Sequence, residues 1–326
     1  MPSTMKAAVV HEPGGPEVLK LEQLAIPVPA PGQVLVRVKA FGINRSELFT
    51  RLGQSPNVRF PRVLGIEAVG QVEDAPGGEF AKGETVATVM GGMGRDFDGG
   101  YAEFTCVPAR QLLSVKTQLP WEQLGAAPEM LQTAWGSLYK ALQLKPTDRL
   151  LLRGGTTSVG LAAAAIASRA GNFVAATTRN PNSEALLRKV GAQHVFIDTG
   201  TIAPDVREAF PEGFDKVLEL VGVATLKDSL LCAKTGGIVC MTGIVGNKWS
   251  FDAFAPMEVI PTAVGLTVYA GENEDFLAMP FQELVDQIAD GSLPIQVGKV
   301  FSLDEIVQAH QLMDSNKAGG KIVVLP

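Results

Sequence analysis

The segment that most restricts the fold is LLLRGGTTSVG at residues 150–160. A three-residue apolar run is long enough only for a short strand. The paired Gly154 and Gly155 then force a tight turn. From Ser158 an alanine-rich stretch, with alanines at 162–165 and 167, reads as a helix over 158–170. A strand turning sharply into a helix brings backbone N–H groups and a helix N-terminus up to an anion, which is what a dinucleotide pyrophosphate requires. Further strands read at 172–177, 195–197, 214–221 and 237–242, with helices at 183–190 and 224–233. Strand–helix alternation with short Gly-rich connections predicts an α/β fold, a doubly wound parallel sheet. The spacing is not G-x-G-x-x-G, because Thr157 stands where the central glycine would fall. A plain strand–helix turn is the alternative, and the βαβ context favours the nucleotide site. Its candidate residues are Gly154, Thr156, Thr157, Ser158, Val159 and Gly160.

The choice of dinucleotide is also readable. NAD sites place an acid at the end of the second strand for the ribose 2′-OH. Here that strand ends Thr177, Thr178, Arg179, Asn180, with no acid. Arg179 can pair with a 2′-phosphate and Thr178 can donate a hydrogen bond to it. The alternative is a solvated loop arginine, and the position favours NADPH.

The flanking regions differ in character. Residues up to about 120 read as β-rich, with Val34, Val36 and Val38 on one strand face and short strands at 69–72, 85–90 and 101–107. Gly and Pro punctuate them, as expected of a small barrel or sandwich. A short helix reads from about Asn44 to Leu52. Residues 122–142 read as helix split by Pro128. Near the C-terminus Ser302 and Glu305 form a capping box for a helix to about Met313, and 321–325 reads as a strand. The boundaries predicted are a β-rich domain over 1–122 and 268–326, interrupted by a nucleotide-binding domain over 123–267.

Composition removes other classes. At 326 residues the chain has room for two domains. A charge of −6 argues against nucleic acid or an anionic membrane surface. The apolar run at 161–167 is far below the roughly 18 residues of a membrane span. No signal peptide reads at the N-terminus, so a cytoplasmic protein is expected. Three cysteines and three histidines, none paired as CxxC or HxxxH, make a disulfide framework or a zinc site improbable on spacing.

The motifs GINRSEL (42–48), PRVLGIE (61–67), GGYAE (99–103), TAW (133–135), RGGTTSVG (153–160), ATTR (176–179), GIVCMTG (237–243), AH (309–310) and GGKIV (319–323) run nearly end to end. On these the chain resembles the medium-chain dehydrogenase/reductase superfamily, in its zinc-free quinone oxidoreductase-like branch. The resemblance implies a GroES-like catalytic domain around a Rossmann domain, a substrate cleft between them and a homodimer formed through the sheet edge around 264–269. Zinc-dependent members keep Cys and His at the positions matching Asn44 and Ile66, and often Cys at the position matching Glu129. Isoleucine cannot ligate a metal, so the expectation is a metal-free enzyme, with an oxygen site of Asn44, Glu67 and Glu129 as a remote alternative.

Without a metal to acidify an alcohol, reduction of an electron-poor π-system is the easier chemistry, so a quinone or α,β-unsaturated carbonyl is the expected substrate. The resemblance places Asn44 near the nicotinamide ribose or substrate, with a turn cap as its plainer reading. It places Thr133 at the nicotinamide end, against helix packing. Gly243 and Ile244, and Val221 before them, fall at strand carboxyl ends beside the nicotinamide. Lys321 has two readings, a cleft residue or an exposed strand lysine. Tyr101 and Tyr269 are candidate O–H donors, against buried packing. Tyrosines found in some quinone reductases after the Asn44 motif are Phe49 and Ser55 here. Glu67, His194, His310, Cys232 and Cys240 read as structural. Competing readings are a zinc-type alcohol dehydrogenase with altered ligands and an NADPH-binding protein without turnover.

Overall fold

The computed structural model describes residues 3–326. The chain forms two compact units. One holds the chain up to Glu129 with Gly271–Asp290 and Val297–Pro326; the other holds Met130–Ala270 with Gly291–Gln296. The first crossing falls after Glu129 rather than after residue 122, because the helix Trp121–Leu124 packs on the strands Gln33–Ile43 and Lys321–Leu325 of the first unit.

The second unit is a six-stranded, wholly parallel sheet. Its order is His194–Ile197, Phe173–Thr178, Arg149–Arg153, Phe214–Glu219, Ala233–Met241, Gly265–Val268. Numbered along the chain this is 3-2-1-4-5-6, the doubly wound arrangement. The central strand carries Leu150, Leu151 and Leu152, all fully buried. Each contributes about 1.5–3 kcal/mol by leaving water. Strands covered on both faces cannot alternate polar and apolar residues, hence the continuous apolar runs. The helix Ser158–Arg169 lies close against the first two strands through Ala162 to Ala165, all buried. Strand order reverses between Arg149–Arg153 and Phe214–Glu219, and the crevice at their carboxyl ends is where ligands bind in such sheets.

The first unit is built on one long strand, Gln33–Ile43. It pairs antiparallel with Glu67–Asp74, Phe104–Pro108 and Lys321–Leu325 within a seven-stranded sheet. Val34, Val36 and Val38 are buried as their alternation predicts, but Leu35 is buried too, and Arg37 lies over the Phe104 ring at 4.5 Å. A second sheet joins Leu19–Ala25, Thr4–Val10 and Arg62–Val63. The long strand ends at Ile43, where the helix Arg45–Arg51 begins. Glu67 and Lys321 open the two neighbouring strands, so three strand ends deliver Asn44, Glu67 and Lys321 to one place. Among the described residues no helix is long and apolar enough to cross a membrane.

Candidate functional site

In the second unit the turn after the central strand is shaped for an anion. Gly154 has φ +83°, a conformation that favours glycine. Its N–H donates to Thr177 Oγ1 at 3.0 Å, and the Gly155 N–H donates to the Thr177 carbonyl at 3.1 Å. A Cβ on Gly160 would sit 2.7 and 2.8 Å from the Gly154 and Gly155 carbonyl oxygens, so only glycine lets the helix meet the turn. The Thr157 hydroxyl accepts from the Gly160 N–H at 3.0 Å and donates to the Gly154 carbonyl at 2.9 Å. Thr157 is thus the helix N-cap, and its hydroxyl is committed to the turn rather than offered to a phosphate. Among the described residues the N–H groups of Thr156, Ser158 and Val159 have no acceptor in the chain. They supply three open donors at a helix N-terminus, which fits a pyrophosphate.

Arg179 is exposed, past the end of the second strand, and makes no hydrogen bond or ion pair with the described residues. Thr178 is buried, and its hydroxyl pairs with Asn180 at 3.1 and 3.2 Å. An acid beside this strand end is Asp198, whose N–H donates to the Thr178 carbonyl at 2.8 Å. Its carboxylate points inward, accepting from Arg153 Nε at 2.9 Å and Nη2 at 3.0 Å and from the Gly200 N–H at 2.8 Å. Burial would raise Asp198, but the Arg153 guanidinium outweighs it and holds it below the ordinary carboxylate range. No acid remains to take a ribose 2′-OH there, so the residues present fit a 2′-phosphate.

Arg153 and Glu219 were not singled out from the sequence. Arg153 is fully buried and also binds Asp228. Glu219, at the carboxyl end of the fourth strand, accepts from the Val221 and Gly222 N–H groups at 2.7 and 2.9 Å and from Thr225 Oγ1 and Ser229. This fixes the turn that carries Val221. Gly243 packs against that turn so closely that a Cβ would lie 2.2 Å from the Leu220 carbonyl. Val221, Gly243 and Ile244 are thus half-exposed neighbours at the switch point. A readable signal existed: a charged residue in a strand buried on both faces must have a buried partner. Thr133 lies half-buried on the helix Pro128–Gly136. The Tyr269 ring rests where a Gly136 Cβ would be, and its hydroxyl donates to the Gln132 carbonyl at 3.5 Å.

The first unit corrects several expectations. Tyr101 is fully buried, stacked on Phe41 with ring centroids 4.7 Å apart, and its hydroxyl meets His310 Nε2 at 3.1 Å. It packs the core and cannot reach a substrate. Burial lowers His310 to about 3, so its imidazole is neutral. Arg51 donates to Nδ1 at 2.9 Å, which leaves Nε2–H to donate to Tyr101. Lys321 is no exposed strand lysine: it is 2% exposed beside a Glu67 that is 0% exposed, and Nζ lies 2.8 Å from Glu67 Oε1. Nζ also donates to Asn44 Oδ1, and Glu129 Oε2 lies 3.4 Å away. Asn44 Nδ2 donates to Glu67 Oε1 at 2.9 Å and, at 3.5 Å, to Glu47 Oε1. Glu67 Oε2 accepts the Glu129 N–H at 2.9 Å. Both amide hydrogens of Asn44 are committed, so it has no donor for a substrate oxygen. Burial pushes the Glu47 carboxyl up to about 7. Burial also disfavours the Lys321 charge, but Glu67, Glu129 and Glu47 more than offset that and hold it protonated.

Two sequence profiles match the chain: an alcohol dehydrogenase GroES-like domain over residues 30–117 and a zinc-binding dehydrogenase domain over 190–324. The chain is 30% identical to the quinone oxidoreductase of Lama guanicoe, across 98% of this chain and 97% of that protein. It is 29% identical to a 2-haloacrylate reductase of a Burkholderia species, across 98% of both. Among solved structures, mycobacterial Rv1454c complexed with NADPH superposes with a TM-score of 0.87 at 27% identity, covering 99% of this chain and 100% of that one. Fold and relatives together define an oxidoreductase of GroES-like plus Rossmann architecture. The chain belongs to the medium-chain dehydrogenase/reductase superfamily, in its quinone oxidoreductase-like branch.

The name of the second profile makes zinc a question of donor chemistry. Among the described residues no group of three or more His, Cys, Asp or Glu side chains could hold a metal ion. Ile66 offers no ligand atom, and the oxygens of Asn44, Glu67 and Glu129 already face an ammonium. An all-oxygen set holding a cation of its own does not fit zinc, which prefers nitrogen and sulfur.

Proposed function

We propose that the chain is a zinc-independent reductase that uses NADPH to reduce quinones or α,β-unsaturated carbonyl compounds. The observation that carries the reading is the end of the second strand, where Arg179 has no partner among the described residues and Asp198 is turned inward onto Arg153. The kinship to quinone oxidoreductases and to a 2-haloacrylate reductase, whose name denotes an activated alkene, supports the substrate class.

When bound, NADPH supplies the hydride. The N–H groups of Thr156, Ser158 and Val159 hold the pyrophosphate, and Arg179 pairs with the 2′-phosphate beside Thr178. The turns at Val221 and at Gly243 and Ile244 bound the nicotinamide end, held rigid by Glu219. Thr133 lies on the helix against which Tyr269 packs. Hydride addition to a conjugated carbon sends the electron pair to the carbonyl oxygen, where charge must be met by a donor. With Tyr101 buried, Tyr269 is the remaining one of the two candidates, and its hydroxyl would have to leave the Gln132 carbonyl to meet that charge.

Two further readings belong here. The edge strand Gly265–Val268 exposes Val268, and it is the strand through which two copies would pair as a homodimer. The three cysteines are free, as a reducing compartment such as the cytoplasm leaves them. The test is oxidation of NADPH and of NADH with quinones, enones and simple aldehydes as acceptors. Turnover with NADPH on the first two classes is expected. Turnover confined to simple aldehydes, or reduction of no acceptor, overturns the reading.

A further inference from the structure

Lys321 sits where a cation is wanted and provides one. Its three N–H bonds face three oxygens from three separate segments: Asn44 Oδ1, Glu67 Oε1 at 2.8 Å and Glu129 Oε2 at 3.4 Å. Both Lys321 and Glu67 are withdrawn from water. The backbone is shaped around them, since a Cβ on Gly42 would lie 2.3 Å from both Glu67 Oε1 and Lys321 Cε. An ammonium so placed must have carboxylate partners, and carboxylates so placed must have a cation.

We propose that the Lys321 ammonium is a tethered cation filling the place a divalent ion would need among Asn44, Glu67 and Glu129, so that it shuts metal out of the first unit. A divalent ion in the same oxygens would meet a fixed positive charge within contact distance, so the two occupants exclude each other. The tether also acts as a positioning device. By drawing Oδ1 of Asn44 toward the lysine and leaving Nδ2 to Glu67, it fixes which way the amide faces. With the ammonium removed, the remaining donors are all oxygen, which suits a hard cation such as Mn²⁺.

The test is Mn²⁺ binding to the intact chain, wild type against Lys321→Met, read by electron paramagnetic resonance titration and by thermal midpoint with and without Mn²⁺. The wild type is expected to bind no Mn²⁺ at this place and to keep its midpoint. Lys321→Met is expected to melt several degrees lower, to take up one Mn²⁺ and to regain most of the lost midpoint. A Lys321→Met protein indifferent to Mn²⁺ overturns the proposal. So does a wild type that binds one Mn²⁺ and loses it on Glu67→Gln. Should Lys321→Met be insoluble, refolding with millimolar Mn²⁺ is expected to rescue it, and no rescue counts against the proposal. None of these readouts passes through turnover, so their failure and the failure of the reductase reading are separable.

Discussion

At the strand ends of the first unit, polar side chains are used up on one another. At the strand ends of the second, they are held open. Asn44, Glu67, Glu129 and Lys321 satisfy each other in a closed set, whereas Thr156, Ser158, Val159 and Arg179 have donors with no acceptor among the described residues. The difference shows two ways of handling charge away from water. A closed set specifies one conformation and costs heavily when broken. An open set stays at a turn and a helix N-terminus, where water satisfies it until an anionic ligand arrives. The second unit uses a closed set too, in Arg153 with Asp198 and Asp228, all largely withdrawn from water.

Breaking the closed set gives the largest effect. Lys321→Ala strands the buried Glu67 and is expected to lower stability by about 3–5 kcal/mol. Arg188→Ala, which removes a solvent-exposed pair with Glu184, is expected to cost about 0.5 kcal/mol or less. Denaturant unfolding of both variants checks the contrast, and similar losses erase it. Breaking the open set leaves the fold intact and shows up in binding. Arg179→Ala is expected to weaken NADPH by about 1.5–3 kcal/mol, roughly tenfold or more, and NADH hardly at all. Equal losses, measured by calorimetry, contradict the assignment of Arg179.

The closed set around His310 should respond to acid. The folded imidazole is depressed from 6.5 to about 3, so its contribution is complete above pH 6.5 and is lost as pH falls toward 3. Between pH 7 and pH 5 this amounts to about 2 kcal/mol. His310→Gln can keep the Arg51 and Tyr101 hydrogen bonds without titrating, so its stability should fall less over that interval. Parallel slopes for the two proteins dispose of the idea. Within the open set, Gly160→Ala is expected to cost about 1–2 kcal/mol, because the added Cβ pushes two carbonyls away from the helix. Nucleotide affinity should fall with it, as fluorescence titration can show.

What the sequence disclosed follows the same division. The strands and helices read in the second unit from local apolar runs and glycines lie within a few residues of their places, although the helices Ala203–Ala209 and Pro256–Val259 have no such signal in that reading, and Thr157 is an anomaly whose capping role the structure explains. The strand at Lys321–Leu325 was legible, but the burial of Lys321 was not. Its partner Asn44 lies 277 residues away, and no local period encodes such a meeting. Of the two readings of Tyr101, buried packing is the one the structure shows, and its partner His310, 209 residues distant, was not legible. The helix Phe281–Ala289 was a signal passed over. Its buried Phe281, Leu284, Val285 and Ile288 have the i, i+3, i+4, i+7 spacing of an amphipathic helix. The strands Thr4–Val10 and Leu19–Ala25 also went unassigned; the second is largely open to water and lacks a buried apolar face.

The most direct test of the account is NADPH oxidation with a quinone by protein exhaustively treated with chelator, compared with untreated protein at equal concentration. The account predicts the same rate from both, because Lys321 supplies the fixed charge and Arg179 the cofactor preference. A rate that vanishes on chelation and returns with added zinc would contradict it.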